Sequence, residues 1–378
     1  MKNIYYILFV IFLFSCQPSG NPQEAKNTFW IDINRRDSIS CFFDNYQIIP
    51  LETTQTSLIG DISKILINND KIYILDKRQA TIFIFNSYGK YINKIHRQGR
   101  APEEYLSITD FNIYQNDVYC LSRPNKKILV YNDSAQFLKY LPLNDWYNSF
   151  HIANDSLVYL FSDYSNTQYY NYIIYNYKKQ KNENQYDKFK KDQGLIFDYS
   201  PFHSAEDKLL ITEQYDQTLY HLSSQGKEAI YHFIFNTSDK IPVRFKTMNK
   251  EKLYDFLKGK ETLKRINNIY LNNQLLFIEY EIFCEGLGIR HFITKINTRT
   301  NQISTIRLGD EINRSFPFLI NPLAFYKDQL VFSIPSVLAI DINQRYKINH
   351  PELEKVKETN NPILIFHHLN QQNDIGPI

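Results

Sequence analysis

The chain has 378 residues and a formal net charge of +3, with 43 Lys and Arg set against 40 Asp and Glu. Basic residues are scattered among carboxylates with no basic stripe, which argues against nucleic-acid binding. A single hydrophobic core rarely grows past roughly 250–300 residues, so this length points to two domains or a repeat array.

The N-terminus reads "MKNIYYILFVIFLFSCQPSG". Lys2 gives a short positive start, and Ile4 to Phe14 is an apolar run too short for a membrane-spanning helix, which takes about 20 residues. This is the layout of an export signal over residues 1–15. The run ends in "LFSC", where Leu13 and Ser15 before Cys16 resemble a bacterial lipobox. Cys16 would then be lipidated and become the first mature residue. Polar "QPSGNPQEAKN" follows, so residues 16–45 are expected to be a tether and N-terminal segment. The expected location is the cell envelope, anchored by lipid to the outer membrane and facing the periplasm or the surface. Cys41, Cys120 and Cys284 remain. They have no CxxC spacing, which argues against zinc, and one unassigned disulfide among them stays open.

Residues 62–95, "ISKILINNDKIYILDKRQATIFIFNSYGKYINKI", parse by turn signals into four short strands. The strands are rich in β-branched and aromatic residues, in keeping with 29 Tyr and 27 Phe in the whole chain. Asn, Asp and Gly mark the tight turns. The pattern returns 46 residues later, with Tyr73 on Tyr119 and Asn86 on Asn132, and 137 residues later, with Gly89 on Gly226. Copies with longer loops run through "NDSLVYLFSDYSNTQYYNYIIYNYKK" and "NNQLLFIEYEIFCEGLGIRHFITKINTRTNQISTIRL". A sixth begins at "FLINPLAFYKDQLVFSI" and finishes in "NPILIFHHLN".

Six such units predict an all-β, six-bladed β-propeller over residues 46–370, with a tail at 371–378. The sixth unit lacks its outer strand, which "YQIIPLE" (46–52) is expected to supply, closing the ring and removing an exposed edge. Leu253, Phe256 and Leu257, at i, i+3 and i+4, with Gly259 as a stop, predict a helical insertion near 247–265. "HPELEKVKE" reads as a second short helix. "NYKKQKNENQYDKFKKDQG" reads as an exposed hairpin end.

"IPLETTQTSLIGDISKI", "IYILDKRQATIFIFNSYGKYINKI", "GRAPEEYLSITDF" and the closing "NNPILIF" resemble the six-bladed propeller lipoproteins of Bacteroidetes, a family allied to NHL-repeat propellers. The resemblance covers residues 46 to 370. It implies a propeller, a secreted or lipid-anchored location and a binding role. Ala101 stands where relatives tend to have a second glycine.

By analogy with other propellers, ligands bind on the face made by the blade joints and by the loops between second and third strands. That face should receive Asp76 and Arg78 from blade one, Arg97, Arg100, Glu103, Glu104 and Tyr105 from the next joint, and Arg123 with Lys126 from blade two. Asp163 and Tyr164 come from blade three, and Glu213, Tyr215 and Asp216 from blade four. Blade five offers Glu279, Glu281, Glu285, Arg290 and His291. The joint "HRQGRAPEEY" reads as a bend, with Gly99 and Pro102 turning the chain and Glu103 or Glu104 pinning it.

No HExxH, GxSxG or P-loop motif is present, so no catalytic residue is assigned. Carboxylates converging on a channel could hold Ca²⁺, as in propeller hydrolases and lactonases. The leading expectation is instead a monomeric binding module for a glycan, a peptide or an envelope protein, with no cofactor.

Overall fold

The computed structural model describes residues 27–190, 199–205, 208–237, 250–284, 288–309 and 315–372. Two strands precede the first blade, β1 (Asn27–Ile31) and β2 (Phe43–Pro50). Blade one is β3 (Lys64–Asn68), β4 (Lys71–Asp76), β5 (Thr81–Asn86) and β6 (Tyr91–Ile95). Blade two is β7 (Asp110–Tyr114), β8 (Asp117–Ser122), β9 (Lys127–Tyr131) and β10 (Phe137–Pro142). Blade three is β11 (Ser149–Ile152), β12 (Leu157–Phe161), β13 (Tyr170–Asn176) and β14 (Lys181–Lys188). Blade four is β15 (Phe202–Ala205), β16 (Lys208–Ile211), β17 (Thr218–Leu222) and β18 (Lys227–Phe235). Blade five is β19 (Glu261–Asn272), β20 (Leu275–Cys284), β21 (Gly288–Asn297) and β22 (Ile303–Arg307). Blade six joins β23 (Pro322–Tyr326), β24 (Gln329–Ile334) and β25 (Ile363–Leu369) to β2.

The six sheets form the expected ring, a six-bladed β-propeller. Each of blades one to five is an antiparallel meander in chain order. Strand starts in blades one and two repeat at the offset read from the sequence: Lys64 and Asp110, Lys71 and Asp117, Thr81 and Lys127. The turns repeat as well. Asn69 and Asp70 have φ of 44° and 58°, and Gln115 and Asn116 have 49° and 77°. Two consecutive left-handed residues match the twist of a two-residue hairpin, which is why Asn and Asp recur there.

Ring closure comes from the N-terminus. β2 pairs antiparallel with β25, with Ile48 opposite Ile365. Asn361 locks the seam: its Oδ1 accepts from Ile59 N at 2.8 Å, and its Nδ2 donates to Glu52 O and Ser57 O, both at 2.8 Å. Gly89 supports the same seam. Its φ is +76°, and a Cβ there would lie 2.3 Å from the Pro50 carbonyl oxygen, so only glycine fits.

The segment expected to be tether folds from Asn27 onward. β1 adds a fifth strand to blade four, parallel to β18, with Phe29 beside Phe233. The chain then crosses blade five, where Asp37 N donates to Thr305 O (3.1 Å) and Thr305 N to Asp37 Oδ2 (2.8 Å). It enters blade six through a short 3-10 turn at Ile39–Cys41. The residues before Cys41 therefore clip together blades four, five and six.

Helix α1 (Lys250–Leu257) fills part of the predicted insertion, and Gly259 at φ +74° ends it. The expected helix does not continue to 265. Glu261 onward instead joins β19, because β20 is long enough to pair with it up to Cys284. Residues 247–249 lie outside the described residues. In blade six, α2 (Ser336–Tyr346) and α3 (Pro351–Glu354) fill the connection from β24 to β25. The predicted short helix is α3, and α2 was not foreseen. The charge-rich stretch read as a hairpin end contains β14 (Lys181–Lys188), the outer strand of blade three, which pairs with β13 from Tyr170 to Asn176, and its residues 191–194 lie outside the described residues. Cys41, Cys120 and Cys284 are free thiols.

Adjacent His367 and His368 face opposite sides of β25, as period-two geometry requires. His368 Nε2 is 2.7 Å from Gln329 Nε2. His367 is fully buried among Phe43, Phe332, Tyr46 and Phe316, with ring centroids 5.1, 5.1, 5.4 and 5.9 Å away. Neither of its ring nitrogens has a hydrogen-bond partner among the described residues. Burial, with a smaller contribution from His368, pushes its pKa from 6.5 down to about 3. The folded value lies below the unfolded one, so the unfolded chain takes up the proton first. Stability is full above the ordinary histidine pKa and is lost as pH falls from 6.5 toward 3, at up to about 1.4 kcal/mol per pH unit. His367→Phe is expected to stabilise the protein by about 1–3 kcal/mol and to flatten this acid limb. Urea titrations at neutral and mildly acid pH measure both effects, and an unchanged pH slope would contradict the assignment.

Candidate functional site: the central channel

The inner strands β3, β7, β11, β15, β19 and β23 surround the propeller axis and enclose a cavity of about 600 Å³, open to the face that carries the blade joints. This is within the range that holds a small-molecule ligand. The wall is largely polar, because five of the six inner strands place hydrophilic residues on it, while β23 contributes Pro322, Leu323, Ala324 and Phe325. Lys64 comes from β3, Asp110 and Asn112 from β7, and His151 from β11. His203 belongs to β15, and Arg265, Asn267 and Asn268 to β19. Phe202 and Phe325, both half-buried, add aromatic surface.

The charged groups of the wall are held in networks. Lys64 Nζ donates to Asp110 Oδ1 (2.7 Å) and to Phe111 O (2.8 Å). Asp110 Oδ2 accepts from Ser149 Oγ at 2.6 Å, and Ser149 Oγ lies 2.7 Å from Ser200 Oγ. Across the channel, Glu281 accepts from Lys264 Nζ (2.7 Å), Arg265 Nη2 (3.0 Å) and Asn267 Nδ2 (3.1 Å). Burial pushes the Glu281 carboxyl up, but Arg265 and Lys264 outweigh it and hold its pKa at about 2.

Glu279, fully buried, accepts from Asn268 Nδ2 (2.9 Å) and Asn267 Nδ2 (3.1 Å), and its Oε1 lies 3.1 Å from His291 Nδ1. Burial pulls His291 down, yet its bond to Glu279 and the charges of Glu279 and Glu281 leave its pKa raised. Stability from that pair is full below the ordinary histidine pKa and is lost as pH rises through the raised value.

Burial, helped by the Lys64 charge, lowers His151 and His203 to a pKa of about 4, so both are neutral at pH 7. Thr212 Oγ1 donates to Ile266 O, so the 2.9 Å contact from His203 Nε2 to Thr212 Oγ1 is an N–H donation. That fixes the His203 tautomer and leaves Nδ1 as an acceptor.

The loop residues singled out from the sequence occupy other positions. Asp76 is fully buried and accepts from Gly60 N (2.8 Å), Asp61 N (3.1 Å) and Gln79 N (3.0 Å), pinning the loop above blade one. Arg78, Arg97 and Arg100 are exposed. Glu104 Oε2 accepts from Ala101 N at 2.9 Å, the expected pin of the bend, and a Cβ on Gly99 would lie 1.9 Å from that same oxygen. The Glu103 carbonyl accepts from the Tyr131 hydroxyl at 3.0 Å. Tyr105 is fully buried, its hydroxyl accepting from Arg97 N (3.0 Å) and donating to Ala80 O (2.9 Å).

Arg123 is half-buried and donates its backbone N–H to Thr109 Oγ1. Lys126 stacks over Trp146 at 3.8 Å. Asp163 is buried and accepts from Asn148 Nδ2 at 3.2 Å. Glu213 is buried against Lys227 Nζ (2.6 Å), which also holds Asp187. Burial and the Glu213 charge push the Asp187 pKa up to about 6 despite Lys227. Arg290 is half-buried near the top of blade five. Glu285 and Cys16 lie outside the described residues.

Of the residues named from the sequence, Glu281 and His291 line the channel. Lys64, Asp110, His151, His203 and Arg265 were missed. Their signal was a charged or imidazole residue inside a first strand, as in "ISKILI", "SFHI" and "FHSA". The tyrosines of blade three are packing residues: Tyr172 is fully buried against Phe161, with ring centroids 5.2 Å apart.

The carboxylates of the wall do not suit Ca²⁺, which takes six to eight oxygens. Asp110 and Glu281 already face cations, and Glu279 faces two amides and an imidazole. Among the described residues no three His, Cys, Asp or Glu side chains are grouped to hold a metal ion.

The sequence profile of a domain of unknown function, DUF4934, matches residues 29–368. The chain belongs to the DUF4934 family. The match begins inside β1 and ends inside β25, so the DUF4934 domain takes in both N-terminal strands and all six blades. No curated protein matches this DUF4934 chain. Among solved structures it is similar to a Bacteroides fragilis protein described as exported, at 16% identity and TM-score 0.72, covering 91% of this chain and 99% of that one. It is also similar to a DUF4221 family member from Bacteroides vulgatus, at 11% identity and TM-score 0.51, covering 87% and 97%. At these identities the likeness concerns the fold.

Proposed function

We propose that this DUF4934 protein is a binding module of the cell envelope that takes a glycan in its central channel. The observation that carries the reading is the channel wall itself. It sets amides and hydroxyls (Asn112, Asn267, Asn268, Ser200) beside aromatic side chains (Phe202, Phe325) in a cavity of about 600 Å³. Sugars are recognised by that combination, hydrogen bonds around the ring edge and apolar contact on its face. Peptide and protein partners are the other occupants expected from the fold, and the exposed Arg78, Arg97 and Arg100 extend the surface they would meet. The signal-like N-terminus and Cys16 support export and a lipid anchor at the outer membrane. Cys16→Ser is then expected to move the protein out of the membrane fraction, and an unchanged distribution would refute the anchor.

The test of the site is to plug it. Ala324 lines the cavity from β23. Ala324→Trp is expected to abolish retention on an envelope glycan array while leaving the melting temperature within a few degrees of wild type. Retention that survives the plug would place the ligand elsewhere on the loop face.

A further inference from the structure

The channel wall carries more than a general affinity for sugar. Its carboxylate oxygens are bonded within the protein, and its cations keep donors to spare. Both oxygens of Asp110 are bonded within the protein, Oδ1 by Lys64 Nζ and Phe111 N and Oδ2 by Ser149 Oγ and Phe150 N. Both oxygens of Glu281 are bonded as well, Oε1 by Arg265 and Asn267 and Oε2 by Lys264. Neither carboxylate has an oxygen left without a protein donor.

The cations of the same wall are less fully used. Arg265 has five N–H donors. Only Nη2 meets a carboxylate, and neither Nη1 nor Nε has a partner among the described residues. Lys64 spends two of its three ammonium protons on Asp110 and Phe111. Lys64 and Arg265 thus line the cavity beside Asp110 and Glu281 with charged N–H donors that the two carboxylates do not use up. His151 and His203 are neutral at pH 7, and His203 Nδ1 offers an acceptor for a hydroxyl.

From this arrangement we infer that the channel selects an acidic saccharide, a sugar unit bearing one carboxylate or sulfate, with the anionic group at Arg265 and Lys64 and the ring beside the amides and Phe202. An anion there meets the spare N–H donors of Arg265 and Lys64 through charge-assisted bonds, whereas a neutral sugar offers them only uncharged hydroxyl acceptors. Charge-assisted bonds from guanidinium to carboxylate are about twice as strong as neutral ones. This rests on the glycan reading above and goes beyond it by naming the ligand's charge.

The test uses the full chain extracted in detergent and a set of matched saccharide pairs. Each uronate disaccharide is paired with its neutral parent, and each sulfated disaccharide with its unsulfated parent. At least one acidic member is expected to bind about tenfold or more tightly than its neutral partner, a difference of about 1.4 kcal/mol. A carboxylate-only or a sulfate-only preference identifies which anion is read. Arg265→Gln is expected to collapse the ratio toward one while neutral-sugar binding persists. Should that variant fold poorly, raising salt about tenfold on the unaltered chain serves instead, and is expected to weaken the acidic members selectively, because screening acts on the charge contribution alone. Equal binding of acidic and neutral partners would overturn the inference and leave the glycan reading standing. Binding of neither would overturn both.

Discussion

Removing residues 1–50 is expected to leave a chain that cannot hold a folded propeller. The deletion takes β2 from blade six and exposes β25 along the full pairing from Phe43 to Pro50. It removes β1 from blade four and the Asp37–Thr305 clip on blade five. Lys295 Nζ, which bonds Cys41 O at 3.2 Å beside Asn370 O at 2.7 Å, loses one of its acceptors. Phe42, Phe43, Ile48 and Ile49 leave the core with the strand. At about 1.5–3 kcal/mol for each buried large apolar side chain, those four alone contribute about 6–12 kcal/mol, comparable to the whole stability of a typical domain. Circular dichroism and gel filtration should show loss of the cooperative melt and aggregation through the newly open edge. A monodisperse truncated monomer melting near the full chain would show that the blades close without the N-terminal strands.

Glu281→Ala is the point substitution with the largest expected effect. The carboxylate is buried and gathers Lys264, Arg265 and Asn267 at the top of blade five. Removing one member of a buried charge network leaves the others unpaired, at a typical cost of about 3–5 kcal/mol. The pH dependence gives an independent measure. The folded carboxyl titrates near 2 against 4.5 for the free side chain, so its contribution is present above 4.5 and is lost as pH falls toward 2. That difference corresponds to about 3 kcal/mol. Urea unfolding of wild type and variant at neutral pH, repeated at pH 3, should show a large gap that narrows in acid. A variant as stable as wild type at neutral pH would mean that Lys264 and Arg265 find solvent or other partners at no cost.

How much of this was legible in the sequence follows from how local each signal is. The blades were readable because each is built from neighbouring segments. A two-residue turn such as Asn69–Asp70 leaves its mark in residue type, and the strand spacing of blade one recurs unchanged in blade two. The closing strand was readable from the opposite side, as a missing partner in the sixth unit. β1 was not. Five residues, "NTFWI", pair with β18 some two hundred positions away, and nothing in so short a stretch announces a parallel partner.

α2 was hidden because its residues resemble strand: "SVLAIDI" is rich in β-branched residues, and its N-cap, Pro335, offers no side-chain oxygen to signal a helix start. The fifth unit was read from "NNQLL" onward, with residues up to 265 given to a helix, so the 12-residue β19 that carries Arg265 to the channel wall was left out. Loops attract attention as carriers of function. Here the polar side chains that meet in space sit in the first strand of each blade, where Lys64, His151 and His203 break an otherwise apolar pattern.

The account's central claim is that ligand enters the axial channel and touches the inner strands. Hydrogen–deuterium exchange of the full chain, with and without the uronate or sulfated disaccharide that binds it best, tests this most directly. New protection is predicted at the joint-face ends of β3, β7, β11, β15 and β19, in peptides containing Lys64, Asp110, His151, His203 and Arg265. Protection confined to the outer strands, or to the Arg97–Arg100 bend alone, would contradict it.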